Sequence, residues 1–313
     1  MSRPIAEPRK PDEATPRPQA DGPTLSFAIP VRNGEDRLPR LLDSLLGQDF
    51  TDLEVVIADN RSDDGTQALC ERYADADPRV RYFRNPEDIG QVANFNRVLE
   101  LSRGRYVRWI GVDDWLEPGY ASACVAELEA HPEAVGVTTY QDHTREDTGE
   151  VTWTAFTGER LESPSAARRF LRMMWFFQHD FRFIDPIYSM MRRDALLRTG
   201  RLQVVPNMDM VLSAEMGLQG TFRHVPSLLA HRALPAPKKL SRVLKAYHPE
   251  RHKELWDTWA GNTRPFYRLI DAAGLGPWDR FVCRWSVRRY ALRFWFRRTH
   301  RRIRAALGLY KEL

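Results

Sequence analysis

The stretch that decides the fold spans residues 25–60 and reads LSFAIPVRNGEDRLPRLLDSLLGQDFTDLEVVIADN. It opens with Leu25–Val31, an apolar run that ends at a turn-forming Asn-Gly pair. Leucines at 3.6-residue spacing follow over residues 38–46, and residues 53–58 form a second apolar run rich in β-branched side chains. An apolar strand, an amphipathic helix and another apolar strand in this order predict one βαβ unit of a parallel sheet.

The same alternation continues beyond residue 60. The tripeptide Asp64-Gly65-Thr66 opens a second helix, and residues 80–83, 91–102 and 106–112 predict a strand, a helix and a fourth strand. Strands that alternate with helices of about ten residues predict an α/β fold with a Rossmann-like, mainly parallel sheet flanked by helices. In open sheets of this kind, ligands bind beyond the carboxyl ends of the strands.

Polar side chains follow two of these predicted strands. Asp113 and Asp114 close the fourth strand, where two adjacent acids are costly to bury without a partner. A hard cation, Mn²⁺ or Mg²⁺, removes that cost by binding one or two carboxylates together with diphosphate oxygens; a solvated loop pair or a helix N-cap is the alternative. Asp59 closes the second strand, either as a turn residue or as an acceptor for a nucleobase N–H or a ribose hydroxyl.

The joint pattern of three segments resembles the family 2 glycosyltransferases, which have the GT-A fold. The segments are FAIPVRNGEDRLPRLLDSLLGQ (27–48), EVVIADNRSDDGT (54–66) and NPEDIGQVANFNRVLELSRGRYVRWIGVDD (85–114). The resemblance implies that the backbone at Pro30 and Val31 faces the nucleotide of a sugar donor and that Asp59 binds it. It also implies that Asn96 and Asp113 belong to the nucleotide-sugar site.

The resemblance assigns the metal site as well. Asp113 matches the last acid of the DxD motif, which binds a divalent cation, and Asp114 beside it is the second candidate ligand. Gly111 stands where many members have the first acid, at a position that varies in the family. A divalent cation is therefore still expected.

A later segment, PNMDMVLSAEMGLQGTFRHVPSLLAHR (206–232), resembles the acceptor half of the family. Asp209 falls on the position of the base, although a helix N-cap would also explain an acid there. Met208 stands where many members have Glu, and Leu234 replaces the His of an Arg-x-His pattern that begins at Arg232. The resemblance implies an inverting single displacement in which Asp209 takes the acceptor proton.

These expectations define the partners and the competing functions. The donor is a UDP-, GDP- or dTDP-sugar, and the acceptor is a glycan, a lipid-linked molecule or a small molecule. A nucleotidyltransferase would normally carry a glycine-rich loop with Lys or Arg after the first strand, which PVRNGED (30–36) is not. A degenerate GT-A scaffold that binds membranes or nucleic acid is the other alternative.

Composition suggests three regions. Residues 1–23 are rich in proline and charge and are expected to be a disordered tail, residues 24–235 form the catalytic domain (24–118 for nucleotide and metal, 119–235 for acceptor), and residues 236–313 form a basic helical extension. The three cysteines form no CxxC pair, and neither a signal peptide nor a membrane-spanning run of about 18 apolar residues is present. We expect a cytoplasmic protein, either free or peripheral on the inner face of the membrane.

Two aromatic segments remain open to more than one interpretation. The run over residues 173–183 is either core or a wall on which a sugar stacks. The C-terminal segment places Trp278, Trp285 and Trp295 among many arginines. It is interpreted either as a packed helix with solvated arginines or as a helix that contacts the membrane surface; nucleic acid is disfavoured because no recognised motif accompanies the basic residues.

Overall fold

The computed structural model describes residues 22–153, 160–179, 186–234 and 259–306. Nine strands in these ranges form one sheet. In chain order they are β1 (Leu25–Val31), β2 (Leu53–Asp59), β3 (Val80–Arg84), β4 (Tyr106–Trp109), β5 (Trp115–Leu116), β6 (Ala134–Arg145), β7 (Val151–Trp153), β8 (Met190–Arg192) and β9 (Thr221–Leu234).

Helices cover both faces of this sheet. In chain order they are α1 (Leu38–Leu46), α2 (Thr66–Ala76), α3 (Gln91–Leu101), α4 (Tyr120–Ala130), α5 (Ala166–His179), α6 (Arg193–Leu197), α7 (Met208–Gln219), α8 (Trp259–Ala272) and α9 (Pro277–Ala306). A short 3₁₀ turn, Pro186–Tyr188, precedes β8.

The first four long strands form the parallel half that the sequence predicts. The sheet order is β3-β2-β1-β4-β8-β6-β9-β5, and the contacts among β3, β2, β1 and β4 are all parallel. Val31 pairs in register with Asp59, which in turn pairs with Arg84. The carboxyl ends of β1, β2 and β3 therefore lie side by side at one edge of the sheet.

The other half of the sheet is mixed and was largely not predicted. Strand β8 runs antiparallel to both β4 and β6, whereas β6 and β9 are parallel to each other over their whole length. Strand β4 also ends at Trp109 instead of residue 112, because the Asp114 amide donates to the Gly111 carbonyl (3.1 Å) and closes a turn. The predicted α/β fold with a mainly parallel sheet is confirmed, with one antiparallel strand, β8, at its centre and the short antiparallel strands β5 and β7 beside β9 and β6.

Two apolar layers enclose the sheet because its strands are apolar on both faces. Phe27 and Ile29 of β1 point toward α1, α2 and α4, while Ala28 points toward α3, α5 and α7. The leucines that predict α1 are the buried face of that helix. The three cysteines are buried and form no disulfide.

The C-terminal helices α8 and α9 pack on the outside of α5 and α7. Phe266 of α8 and Val287 of α9 lie in one buried cluster with Phe170 of α5 and Val211 of α7. The predicted helical extension is therefore helical over its described part and shares a core with the preceding domain. The domain boundaries at residues 23 and 235 stay predictions.

Part of the predicted aromatic run lies in α5. Met173 and Phe176 are fully buried, so over residues 173–176 core packing is the better description. The side chains of residues 177–179 and all of residues 180–185 lie outside the described part of the chain.

Candidate active site

Asp59, at the end of β2, is fully buried and holds the loop that follows it. One carboxylate oxygen accepts hydrogen bonds from the Ser62 amide (2.8 Å) and the Ser62 hydroxyl (2.6 Å). The other accepts from the Tyr82 hydroxyl (2.7 Å) and lies 3.5 Å from Arg84. Burial and the bond to Asp59 raise the pKa of Tyr82, so this hydroxyl remains a donor.

The loop after β1 is bonded directly to the loop after β2. The backbone N–H of Asn33 donates to the Ser62 hydroxyl (2.9 Å), and the backbone N–H of Gly34 donates to the Thr66 hydroxyl (2.8 Å). The Val31 carbonyl accepts a hydrogen bond from the backbone N–H of Asn60 (2.8 Å). The neighbouring Pro30 is partly exposed. The backbone at Pro30 and Val31 is thus held beside Asp59, as a shared nucleotide site requires.

Three buried asparagines connect these loops to β3 and α3. The Asn85 amide donates to Asn94 (2.9 Å) and to Asn60 (3.3 Å), and the Asn94 amide donates to the Ala58 carbonyl (2.8 Å). Buried polar side chains that are bonded in this way rigidify the backbone around them. The loop ends of β1, β2 and β3 therefore form one hydrogen-bonded unit.

Asp88 extends this unit to the surface. It forms a salt bridge with the exposed Arg32. It also accepts hydrogen bonds from the side-chain amide of Asn60 and from the backbone N–H of Gly90 (2.9 Å for Gly90). Gly90 has a φ of 81°, which favours glycine at the start of α3. Neither Asp88 nor Arg32 was singled out from the sequence.

Asp113 and Asp114 lie in the turn after β4, in different environments. Asp113 is about a quarter exposed and pairs with Arg37, whose guanidinium also lies 3.3 Å from Glu146. Asp114 is buried and accepts from the Gly111 amide (3.3 Å), while Arg232 lies 3.6 Å from the same oxygen.

Burial raises the pKa of Asp114, and the charges of Arg232 and Arg108 oppose that rise. Its carboxylate is directed at Gly111 and at β9 rather than at open solvent, and a Cβ on Gly111 would lie 3.2 Å from it. The geometry therefore favours Asp113 over Asp114 as a ligand for a cation.

A divalent cation fits at Asp113 only together with donor oxygens. In the described ranges no three His, Cys, Asp or Glu side chains cluster closely enough to hold a metal ion. Mg²⁺ and similar ions commonly take one or two carboxylates and complete their coordination with phosphate oxygens and water. One accessible carboxylate at a strand end is a donor set of that kind.

Asn96 has backbone partners in the structure. Its side-chain amide donates to the Leu202 carbonyl (2.8 Å) and its oxygen accepts from the Leu202 amide (3.2 Å). Both ends of the side chain thus tie α3 to the segment before α7. Its place in the nucleotide-sugar site stays a prediction, and the contact seen here is a structural one.

Asp209 lies in the first turn of α7 and is exposed. The residue before that helix, Asn207, has a φ of 55° and donates its amide to the Tyr290 hydroxyl (3.0 Å) and to the Asn262 side-chain oxygen (3.2 Å). Burial, together with the charge of Asp209, raises the pKa of Tyr290 to about 12. The C-terminal helices therefore contact the segment that carries the predicted base.

Strand β9 brings a second polar group next to the turn after β4. His231 stacks on Trp115 (4.8 Å between ring centroids) and lies 2.9 Å from both Asp142 and Glu117. The Arg40 guanidinium lies 3.3 Å from the centre of the Trp115 ring.

The next residue of β9, Arg232, connects the two halves of the site. Its guanidinium lies 3.8 Å from the centre of the Tyr188 ring and reaches Asp114. Tyr188 packs against the apolar layer that includes Met208 and Leu212 of α7. The turn after β4 and the helix that carries Asp209 are thus linked through β9, which sequence spacing could not show.

Relatives of known sequence are similar over about a third to a half of the chain. A chondroitin synthase of Escherichia coli is 31% identical over 153 residues, which is 47% of this chain and 22% of that protein. The GalNAc(5)-diNAcBac-PP-undecaprenol beta-1,3-glucosyltransferase of Campylobacter jejuni is 33% identical over 101 residues, 32% of this chain and 33% of that protein. The chain thus spans a third or less of the length of these relatives.

Solved structures are similar over most of the chain. S. aureus TarS 1-349 has a TM-score of 0.63 at 14% identity, covering 87% of this chain and 72% of that one. The mannosyltransferase PcManGT from Pyrobaculum calidifontis, in complex with GDP-Man and Mn²⁺, has a TM-score of 0.54 at 18% identity, covering 97% and 85%. TarS 1-349 in complex with UDP-GlcNAc has a TM-score of 0.57 at 16% identity, covering 82% and 69%.

At these identities the structural likeness shows the fold alone, which is GT-A. The family model for "Glycosyl transferase family 2" matches residues 26–200, more than half of the chain. This range contains the ends of the parallel strands, with Asp59 and Asp113. The chain belongs to glycosyl transferase family 2.

Proposed function

We propose that the protein transfers a sugar from a nucleotide-sugar donor to an acceptor hydroxyl, with inversion at the anomeric carbon. One observation carries the proposal: the ends of β1, β2 and β3 form a single hydrogen-bonded unit, next to an accessible acid at the end of β4. Family membership supports the reaction class. Asp59, Asp113 and Asp209 together also argue against a degenerate scaffold.

The donor half binds the nucleotide. The backbone at Pro30 and Val31 is held by the bond from Asn60 to the Val31 carbonyl, and Asp59 fixes the adjacent loop. The solved relatives bind UDP, UDP-GlcNAc and GDP-Man, which supports a UDP-, GDP- or dTDP-sugar as the donor. The acceptor is a glycan, a lipid-linked molecule or a small molecule.

Asp113, with the diphosphate oxygens of the donor, would hold a divalent cation, Mn²⁺ or Mg²⁺, which when bound neutralises charge on the leaving diphosphate. Arg37 already places a positive charge against Asp113. Asp114 shapes this turn through its bond from Gly111 and its pairing with Arg232, so its proposed role is to position Asp113.

Asp209 is the proposed base. It takes the proton of the acceptor hydroxyl while that oxygen forms a bond to the anomeric carbon. The bond from the anomeric carbon to the diphosphate oxygen breaks on the opposite side, and its electron pair leaves with the nucleoside diphosphate. A single displacement of this kind inverts the anomeric configuration.

A donor panel tests the proposal first. Thermal unfolding is measured with UDP-, GDP-, dTDP- and CDP-sugars in the presence of Mn²⁺. A donor at about one hundred times its Kd stabilises the folded protein by about 2.7 kcal/mol. Absence of a shift with every nucleotide sugar and every nucleoside diphosphate would contradict the proposal.

The base is tested on the donor that binds. Asp209→Asn keeps the shape of the side chain but cannot take a proton, so kcat should fall by roughly 10²- to 10⁴-fold with little change in donor affinity. Glu215→Gln, on the same helix, is the control and should keep near-native kcat. Unchanged kcat in Asp209→Asn, or retained configuration in the product by NMR, would show that the mechanism is different.

A further inference from the structure

Helix α9 carries a row of large apolar side chains on its solvent face, here called the aromatic stripe. Its members follow one another at helical spacing and are between 42% and 72% exposed: Trp278, Phe281, Trp285, Leu292 and Phe296. At 1.5 Å per residue the stripe is roughly 27 Å long. Exposed apolar patches of this extent on a folded protein mark a contact surface.

The opposite face of α9 is already covered by the protein. Cys283, Val287 and Tyr290 are buried in the cluster that α9 shares with α5, α7 and α8. The helix therefore has two apolar faces, and only one of them is needed to hold it in place. The stripe has no role in folding that the described contacts reveal.

Positive charge surrounds the stripe. Arg288, Arg289 and Arg293 are exposed beside it, and α9 contains a single acid, Asp279. Between α5 and α9 lies a cleft of about 610 Å³, here called the arginine cleft; its lining includes Arg160, Arg168, Arg172, Arg289, Trp175 and Trp285. Trp285 belongs to both features, so the apolar and the cationic surfaces are continuous.

We propose that the aromatic stripe and the arginine cleft dock the protein on an anionic phospholipid surface, with α9 lying parallel to the bilayer. Tryptophan prefers the boundary between headgroups and acyl chains. A helix with apolar side chains on one face and cations beside them gains both apolar burial and attraction to anionic lipid. Among the described residues no helix is long and apolar enough to cross a bilayer.

Other partners fit these features less well. A nucleic acid would bind the arginines and stack on the aromatic rings, but it would offer no apolar contact to the exposed Leu292. A second copy of the chain, docked through the same face, would bring two arginine clefts against each other at a cost in repulsion. Lipid is the partner that satisfies both the apolar stripe and its cationic border.

The docking surface takes no part in the transferase chemistry, although the other face of α9 contacts the acceptor half of the enzyme. The buried face of the helix contacts Asn207, two residues before Asp209, through the Tyr290 hydroxyl. A bilayer bound to the outer face would therefore lie next to the acceptor half of the enzyme. Vesicle binding needs no donor, so its failure and a failure of sugar transfer are separate results.

The test is co-sedimentation of the full chain with vesicles of phosphatidylcholine, alone or mixed with phosphatidylglycerol. We expect binding to the mixed vesicles, a blue shift of tryptophan fluorescence, and release as salt screens the attraction. The triple variant Trp278→Ala, Phe281→Ala, Phe296→Ala keeps every arginine and should bind at least roughly tenfold more weakly. Circular dichroism checks that it remains folded, as expected for exposed positions.

The matched control is the double variant Val151→Ala, Trp153→Ala on β7. These side chains are 56% and 54% exposed but lie on a different element, so vesicle binding should be unchanged. Equal binding by the triple variant and the native protein would overturn the proposal. A lack of binding to mixed vesicles at low salt would also overturn it. In that case, sedimentation experiments and binding of a DNA oligonucleotide would show whether the stripe mediates self-association or binds nucleic acid instead.

Discussion

Asp113 and Asp114 are neighbours in the chain, yet the turn after β4 directs them to different surroundings. Asp113 remains accessible and meets Arg37 across the loop, whereas Asp114 is buried against Gly111 and Arg232. The adjacent acids could be found in the sequence, but their different surroundings could not. Residues far away in the chain, at positions 37 and 232, make the distinction.

The two acids should therefore respond differently to the same isosteric change. Asp113→Asn should weaken Mn²⁺-dependent donor binding by at least roughly tenfold, about 1.4 kcal/mol, because it removes the accessible charge. Asp114→Asn should keep this binding, because Asn still accepts the bond from the Gly111 amide. Isothermal titration with nucleoside diphosphate, with and without Mn²⁺, measures both.

Thermal unfolding of the two variants supplies the control. Asp113→Asn should unfold near the native temperature, since the acid lies at the surface of a turn and not in the core. If Asp114→Asn lost Mn²⁺-dependent binding while Asp113→Asn kept it, Asp114 would be the ligand and the assignment here would be reversed.

At the scale of elements, α9 fixes the start of α7. Asn207 has an unusual backbone conformation for a residue other than glycine, and its amide is held by the Tyr290 hydroxyl of α9 and by Asn262 of α8. Such a conformation persists when its surroundings hold it. We infer that Tyr290 is a positioning residue for Asp209.

Tyr290→Phe tests this role, because it removes one hydroxyl and keeps the ring that packs against Phe266. We expect a fall in kcat of roughly three- to tenfold with the donor KM nearly unchanged, since a small displacement of the base affects the chemical step and not donor binding. Steady-state kinetics with varied donor measures the two constants separately.

Tyr73→Phe is the matched control for that experiment. It removes a hydroxyl that donates from α2 to Asp43 of α1 (2.8 Å), away from α7. Each variant loses one hydrogen bond, worth about 1 kcal/mol of stability. Equal kinetics in the two variants would mean that the Tyr290 hydroxyl contributes stability alone.

At the scale of the whole molecule, α7 holds a partly buried acid that makes stability depend on pH. Burial raises the pKa of Glu215 from its ordinary value of 4.5 to about 7, against the bond it accepts from the Gly200 amide. Because the folded pKa is the higher one, the folded state binds more protons than the unfolded state. The contribution of Glu215 to the free energy of unfolding is fully present below about pH 4.5 and is lost as the pH rises through 7.

Glu215→Gln should remove this loss, because Gln is neutral at every pH and still offers an oxygen to Gly200. The variant should exceed the native protein in free energy of unfolding by roughly 1–3 kcal/mol at pH 8, with a much smaller difference at pH 5. Urea unfolding at the two pH values measures the change. A constant difference between native and variant protein across that range would contradict the assignment.

Truncation is a poor test of the C-terminal helices, because they share a buried cluster with the rest of the domain. Removing the chain from Trp278 onward would strip Cys283, Val287 and Tyr290 from the shared cluster and expose the faces of α5 and α7. Loss of vesicle binding after such a truncation would not separate docking from unfolding. Point changes on the exposed stripe avoid this problem.

The sequence by itself determined the donor half of the fold. Strands β1 to β4 and helices α1 to α3 are local, strongly patterned elements, and polar residues directly after the strands marked Asp59 and Asp113. The GT-A fold and the family followed from the same segments. Local periodicity is sufficient there because each element is short, and because β1 and β2 are buried and mostly apolar on both faces.

Only the tertiary structure decided the rest. Strand β6 and the full length of β9 are stabilised by pairing with each other, and such pairing over long sequence separation leaves a weak local signal. The partners of Asp113, Asp114 and Asn207 come from the residue before α1, from β9, and from α8 and α9, which no spacing rule brings together. The two faces of α9 became distinct because packing on α5 and α7 buries one face and leaves the other exposed.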